Sequence, residues 1–151
     1  MQRRHSRHGF TVVELMVVVA LIGVLAAIAT VTYHGYVQSS RVRRAISDVR
    51  TIEFTIAAHE GAERELPASL ADIDMDGLRD PWGNPYRYQD FGLITPGARR
   101  KDKNLVPLNS TYDLWSMGPD GDSKPTLTAS QSRDDIIRAN DGAFIGVATD
   151  Y

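Results

Sequence analysis

The main hydropathy feature of the chain is an uncharged apolar segment near its beginning. Residues 15–29 contain no charged side chain and consist almost entirely of Val, Leu, Ile, Met and Ala. With residues 30–33 added, the segment has about the 20 residues that a helix needs to cross the hydrocarbon core of a bilayer. One acid, Glu14, stands at its start. A carboxylate at the centre of a bilayer costs roughly 2.5 to 3.5 kcal/mol. Near the membrane end Glu14 can stay partly hydrated, but wherever water is excluded it must pair.

The following segment, residues 34–59, changes to an amphipathic pattern. Apolar side chains recur there at spacings of three and four, which is the period of an α-helix with one buried face. These positions are Val42, Ile46, Val49, Ile52 and Ile56. We therefore predict one helix over residues 10–59, with Gly61 as its C-terminal cap. Its second half would pack on a globular domain, whereas its first half has to be buried in lipid or against copies of itself.

Beyond the helix, short alternating segments predict a small antiparallel sheet. Residues 80–86 predict a tight turn, because two prolines, a glycine and an asparagine restrict the backbone there. Strands are predicted from Tyr86 onwards, over residues 112–117 and over residues 144–148. Three short strands need a further layer to be stable. The sequence therefore predicts an α+β fold in which a long N-terminal helix packs on a small three-stranded antiparallel sheet.

The first nine residues differ from an ordinary signal peptide. They are polar, they carry three arginines, and their small residue, Gly9, precedes the apolar segment instead of following it. Cleavage after Gly9 would leave the apolar helix on the mature protein. It would also place a free amino group on Phe10, close to the Glu14 carboxylate. This arrangement predicts a cleaved leader over residues 1–9.

The distribution of charge indicates on which side of a membrane each part of the chain would lie. The 151 residues carry a formal net charge of −2, and loss of the three leader arginines lowers it to −5. This balance argues against a nucleic-acid partner, which would need clustered Lys and Arg. Basic residues ahead of the apolar segment favour a cytoplasmic location for that end. We predict a transmembrane helix over residues 10–33 and an exported domain over residues 34–151.

Composition excludes several kinds of site. The chain has no cysteine, so it has no disulfide and no thiolate metal site. Its four histidines are scattered, and it has neither a nucleophile–base–acid set nor a glycine-rich phosphate loop. These features do not support an enzyme. A basic cluster formed by Arg99, Arg100, Lys101 and Lys103 predicts a solvated loop, or else a contact between subunits.

A group of acids lies between the last two predicted strands. Asp120 and Asp122 stand two residues apart across a glycine, and Asp134 and Asp135 follow farther along. Carboxylate and carbonyl oxygens on a flexible loop suit Ca²⁺, which takes about six to eight oxygen ligands. The spacing does not complete a twelve-residue calcium loop, because no Glu closes it. From spacing alone, an ordinary Asp/Gly turn is an equally good interpretation.

The junction G-F-T-V-V-E at residues 9–14 resembles the class III leader junction of type IV pilins and type II secretion pseudopilins. The resemblance implies that a prepilin peptidase cuts between Gly9 and Phe10 and methylates the new amino group of Phe10. It also implies that the mature helix packs into a filament core, where Glu14 pairs with the Phe10 amine of a neighbouring subunit. Pairing within one chain is the alternative. The proline that these families commonly carry is missing from residues 29–35, which leaves open whether the helix bends or melts on assembly.

Two further motifs resemble the major pseudopilins of type II secretion. They are D-P-W-G-N-P-Y at residues 80–86 and L-W-S-M-G-P-D-G at residues 114–121. In that family the second motif leads into a calcium-binding loop. This chain departs from the family pattern, because residues 123–133 lack a glycine-rich spacer and Pro119 replaces a small residue.

The resemblance assigns calcium ligands residue by residue. Asp120 corresponds to the first carboxylate ligand, and Asp135 to the second, with Asp134 as its competitor. The backbone carbonyl of Met117 corresponds to a further ligand, and Asp122 is an additional candidate. A chelator is then expected to lower the melting temperature of the domain.

As a whole, the resemblance identifies the chain as a calcium-stabilised major pseudopilin with a type IV pilin-like fold. It implies a homopolymer that assembles from the inner membrane into a periplasmic pseudopilus and helps to extrude folded exoproteins. The implied partners are the prepilin peptidase, minor pseudopilins, an inner-membrane assembly platform and the membrane, with no nucleic acid. The alternatives are a type IV pilin for adhesion or motility and a membrane-anchored binding module that does not polymerise.

Replacing Gly9 by Ala or by a bulkier residue is expected to block processing, because the resemblance places the cut at this small residue. Mass spectrometry of membrane extracts should then find the chain with its leader attached. A variant with the normal mature mass would contradict the assigned cleavage site.

Overall fold

The computed structural model describes residues 9–151, except for the side chains of Val31 and Thr32. Residues 1–8, which form most of the predicted leader, lie outside the described residues. The chain divides into two compact units between Ser39 and Ser40. One long helix, α1 (Val12–Glu63), contributes residues to both units. Short 3-10 helices follow at Leu70–Ile73, Pro96–Ala98, Ser130–Ser132, Asn140–Gly142 and Ala148–Asp150.

The helix α1 confirms the predicted continuous helix and extends it at its C-terminal end. Arg64 follows the last helical residue in the left-handed conformation, with φ 67°. Its N–H donates to the Glu60 carbonyl at 2.9 Å. The predicted cap at Gly61 is therefore wrong, because Gly61 lies inside the helix and Arg64 ends it.

The sheet has four antiparallel strands instead of the predicted three. They are β1 (Arg87–Asp90), β2 (Tyr112–Ser116), β3 (Ile136–Ala139) and β4 (Phe144–Val147), in the spatial order β1-β2-β3-β4. The strand that the sequence pattern missed is β3. All of its residues are buried, so it lacks the alternation of apolar and polar side chains that marks a half-buried strand.

One face of the second half of α1 packs on the sheet. Its members lie at the predicted helical spacing and have no solvent exposure. They are Ala45, Val49, Ile52 and Ile56. They form one cluster with Leu114 of β2 and Ile136 of β3. Since burying a large aliphatic side chain contributes about 1.5–3 kcal/mol, this face adds several kcal/mol to the stability of the globular unit.

The opposite face of the sheet carries a second, smaller cluster. Its members are Leu108, Trp115, Ile137, Ala139 and Ala148. Neighbouring residues of a strand point to opposite faces, so Trp115 and Ile137 turn away from α1 while Leu114 and Ile136 face it. Segments ahead of β2 and after β4 thus cover the face that α1 does not reach.

A buried arginine on β3 joins the helix to the sheet. Arg138, which is 6 % exposed, donates from Nε to Glu53 of α1 at 2.7 Å and from Nη1 to Asn109 Oδ1 at 3.0 Å. Its guanidinium carbon lies 4.1 Å from the ring centre of Tyr112, which is a cation–π contact. Gly142 makes room for this pair, because a Cβ there would overlap the Glu53 carboxylate.

The predicted turn ahead of β1 is confirmed, and Asp80 organises it. Asp80 Oδ1 accepts hydrogen bonds from the N–H groups of Trp82 and Asn84 at 3.0 and 2.8 Å. Its Oδ2 accepts one from the Ser116 hydroxyl at 2.6 Å. The motif therefore ties its own turn to the end of β2, while Trp82 packs against the main core.

Replacing Ile52 by Ala is expected to lower the free energy of unfolding by about 2–5 kcal/mol, because this side chain is fully buried. Phe54→Ala is the matched control on the same helix. Phe54 is 76 % exposed, so its loss should change stability by no more than about 0.5 kcal/mol. Chemical denaturation followed by circular dichroism gives both values, and equal losses would contradict the assignment of the buried face.

Candidate functional site

The bond predicted to be cut lies in a non-helical segment just ahead of α1. Phe10 is 86 % exposed. A Cβ added at Gly9 would meet no atom of the described residues within 4 Å beyond its chain neighbours, so packing within the described part of the chain does not require a glycine there. A requirement for Gly9 would therefore point to the predicted processing step.

Thr11 and Glu14 form a capping box at the start of α1. Glu14 Oε2 accepts hydrogen bonds from the N–H and the hydroxyl of Thr11, both at 2.8 Å. The Thr11 hydroxyl oxygen accepts one from the Glu14 N–H at 3.2 Å. This reciprocal pair satisfies two backbone donors that a helix start otherwise leaves unpaired. The capping role was not predicted, although the spacing T-x-x-E ahead of an apolar segment is a signal that could have found it.

The side chains of the first half of α1 form a continuous apolar surface. Across residues 10–28 the large apolar side chains are 45–86 % exposed. By length and composition, α1 could cross a membrane. Exposed apolar surface of this extent marks a contact with lipid or with other proteins.

Three of the predicted calcium ligands come together in the loop between β2 and β3. Asp134 Oδ2 accepts a hydrogen bond from the Asp120 N–H at 3.2 Å, and Asp120 Oδ1 accepts one from the Asp122 N–H at 2.9 Å. Asp122 Oδ1 in turn accepts one from the Ser123 N–H at 2.8 Å. Gly118, with φ +64°, lets the Asp134 backbone come close, because a Cβ on residue 118 would overlap the Asp134 carbonyl. These contacts are the side chain–backbone bonds that close Asp-rich turns.

The loop is also joined to the turn ahead of β1. Met117, whose carbonyl was a predicted ligand, directly follows β2, and its side chain packs against the second cluster. The next carbonyl, that of Gly118, accepts a hydrogen bond from Asn84 Nδ2 at 2.9 Å. Asn84 belongs to the turn that Asp80 organises, so the two motifs singled out in the sequence contact each other.

Asp135 has a different environment from the other acids. It is fully buried, and its Oδ2 accepts hydrogen bonds from Arg100 Nη2 at 2.5 Å and from Ser123 Oγ at 2.6 Å. Burial raises the pKa of Asp135 to about 6, while the Arg100 charge and the Ser123 hydrogen bond oppose that rise. The Arg100 guanidinium and the Asp135 carboxyl form a buried ion pair.

Arg100 is the residue of this site that sequence reasoning missed. The prediction of a solvated basic loop is wrong at this position, because Arg100 is only 2 % exposed. Its backbone N–H donates to Asp113 Oδ2 at 2.7 Å, and its guanidinium carbon lies 4.7 Å from the Trp115 ring centre. Both partners belong to β2, so the local sequence around Arg100 carries no signal of its burial.

These placements bear on the calcium prediction. Among the described residues, no group of three or more His, Asp or Glu side chains is placed to hold a metal ion. Asp135 fits calcium poorly, because Arg100 already neutralises its charge. A calcium site that uses Asp120, Asp122 and Asp134 stays a prediction.

The chain is similar to several known proteins. A family model described as the prokaryotic N-terminal methylation motif matches residues 4–30. The type II secretion system core protein G of Escherichia coli K12 is 29 % identical, over 81 % of this chain and 88 % of that protein. Fimbrial protein Q of Moraxella bovis is 28 % identical, over 86 % of this chain and 74 % of that protein. A fimbrial protein of Pseudomonas aeruginosa is 41 % identical, over 47 % of each chain. No solved structure matches the chain.

Thr11→Val is expected to loosen the first turn of α1, because Glu14 loses both a hydroxyl donor and the acceptor of its own N–H. Loss of such a cap costs about 0.5–2 kcal/mol. Thr11→Ser keeps the hydroxyl and is the matched control. Amide hydrogen exchange at residues 12–15 in detergent micelles should be faster in Thr11→Val than in Thr11→Ser. The same rate in both variants would argue against the cap.

Proposed function

We propose that this chain is the structural subunit of a periplasmic pseudopilus. It carries the N-terminal methylation motif and is homologous to type II secretion system core protein G across most of its length. Subunits leave the inner membrane, join a helical filament and help to extrude folded exoproteins. The role is mechanical and not catalytic.

The observation that carries this proposal is the junction ahead of α1. A cut after Gly9 removes a polar leader and leaves the exposed apolar side chains of residues 10–28 on the mature protein. A secretory signal peptide would instead lose its apolar segment on cleavage. In the membrane, lipid covers this surface, and in the filament the same surface of neighbouring copies replaces the lipid.

In this proposal Glu14 sets the register between subunits. Thr11 already holds Oε2, so the carboxylate has a defined orientation before assembly. Cleavage creates an ammonium group on Phe10, and methylation preserves its charge. The Phe10 ammonium of a neighbouring subunit then pairs with the Glu14 carboxylate. A buried ion pair adds little net stability, but any register that leaves one of its charges unpaired is strongly disfavoured.

The proposed orientation places the leader in the cytoplasm and residues 34–151 in the periplasm. The three arginines of the leader favour this orientation. The prepilin peptidase acts at that end of the chain. An inner-membrane assembly platform and minor pseudopilins are the further proposed partners, together with other copies of the chain.

A type IV pilin for adhesion or motility is the second candidate, and the fimbrial relatives favour it. The similarity to the Pseudomonas aeruginosa fimbrial protein covers only 47 % of this chain, however. The alignment with core protein G covers 88 % of that protein, against 74 % for fimbrial protein Q. The chain also lacks the cysteine pair that pilins carry near the C-terminus.

Deletion of the gene separates the two candidates. For a pseudopilus subunit we expect folded exoproteins to accumulate in the periplasm while adhesion and motility stay normal. Normal secretion with lost adhesion or motility would favour the pilin. Electron microscopy of cells that overproduce the protein tests polymerisation itself, and absence of filaments would favour the membrane-anchored binding module.

Glu14→Ala is expected to be inserted and cleaved normally but to form few filaments, because the Phe10 ammonium of the next subunit loses its partner. Filament yield is measured by immunoblotting of the filaments sheared from cells that overproduce the protein. Leu15→Ala, at the next residue, removes apolar contact without changing charge and should keep the filaments. Thr11→Val removes the hydroxyl of the capping box but keeps the Glu14 carboxylate. It therefore separates the effect of losing the cap from the effect of losing the ion pair between subunits. Wild-type yield in Glu14→Ala would exclude the pairing between subunits.

A further inference from the structure

One buried arginine fixes the loop between β2 and β3 at two points. Arg100 donates from Nη2 to Asp135, at the end of the loop, and from Nη1 to the hydroxyl of Ser123. Ser123 donates to the same Asp135 oxygen. The three side chains form a closed triangle with edges of 2.5 to 2.6 Å. A single positive group thus cross-links two positions of the loop.

The position of Arg100 is set from outside the loop. Its N–H donates to Asp113 of β2 at 2.7 Å, and its carbonyl accepts a hydrogen bond from the Leu108 N–H at 3.0 Å. The ring of Trp115, also on β2, stacks on its guanidinium. The guanidinium is therefore presented to the loop by the sheet.

The pair leaves little room for a second cation on Asp135. The Arg100 and Asp135 side chains are 3 % and 0 % exposed, and their charges cancel. Asp135 Oδ1 is buried and accepts no hydrogen bond within the described chain, so it is the oxygen that a metal would have to use. A calcium ion bound there would lie within roughly 7 Å of the guanidinium. Like charges repel strongly at that distance in a site closed to water.

The other acids of the loop already serve its own backbone. Asp134 accepts a hydrogen bond from the Asp120 N–H, and Asp120 accepts one from the Asp122 N–H. These bonds hold the turn in shape through backbone dipoles. A loop closed in this way does not need an ion to hold its carboxylates near one another.

We propose that Arg100 is the resident cation of this loop and occupies, on Asp135, the place that the resemblance to pseudopilins assigns to calcium. The loop then folds without a divalent ion. This inference concerns the stability of the globular unit and does not depend on the proposed pseudopilus.

The first test is thermal unfolding of the full chain in detergent micelles with EDTA, with Ca²⁺ and with Mg²⁺. We expect the same Tm in all three. Calcium bound only to the folded state, at about a hundredfold excess over its Kd, would raise the Tm by roughly 10 °C. Any rise specific to calcium overturns the proposal, and loss of that rise in Asp135→Asn or in Asp120→Asn then identifies the carboxylate that holds the ion.

The second test is a double-mutant cycle on the same chain. Arg100→Met and Asp135→Asn should each lower the Tm by about 10–20 °C, because each leaves a buried polar or charged partner unpaired. The Tm of the double variant should fall by less than the sum of the falls in the two single variants. Lys103→Met, at an exposed position of the same basic stretch, is the matched control and should leave the Tm unchanged.

Additive losses in the cycle would overturn the proposal, because they would show that the two side chains do not act as a pair. If Arg100→Met does not fold, Asp135→Asn still decides the question. Asparagine has nearly the same shape as the aspartate that it replaces, so this variant tests the charge alone. A wild-type Tm for Asp135→Asn would exclude a stabilising Arg100–Asp135 pair.

Discussion

Burial of one face of α1 under a small sheet is the contact on which the globular unit depends. The strands are four or five residues long, and such a sheet is not stable by itself. The helix supplies the missing layer through fully buried side chains such as Val49 and Ile52. The pair of Glu53 with Arg138 then fixes the register, because sliding the helix along β3 would leave a buried charge unpaired.

The same helix carries two kinds of surface. Between residues 45 and 56 its apolar face is covered by the sheet, whereas across residues 10–28 its apolar side chains are exposed. The proposed passage from a membrane into a filament would use both, because one part has to stay folded while the other exchanges lipid for protein. The capping box of Thr11 and Glu14 satisfies the helix start in either surrounding.

Two buried arginines join distant parts of a chain that has no cysteine. Arg138 reaches Glu53 across 85 residues of sequence, and Arg100 reaches Asp135 across 35. Each guanidinium has a carboxylate, a neutral side-chain oxygen and an aromatic ring as partners. Such partners offset much of the desolvation of a buried charge, so these contacts favour one arrangement of the loops around the sheet.

The sequence by itself determined the features whose signals are local. A few neighbouring positions are enough to encode each of them. These features are the helical period at residues 42–56, the turn at residues 80–86 and the junction at residues 9–14. Only the tertiary structure decided the place of β3 and the burial of Arg100. A strand buried on both faces shows no alternation, and the partners of Arg100 lie 13 to 35 residues away in the chain, so their contact exists only once the sheet has formed.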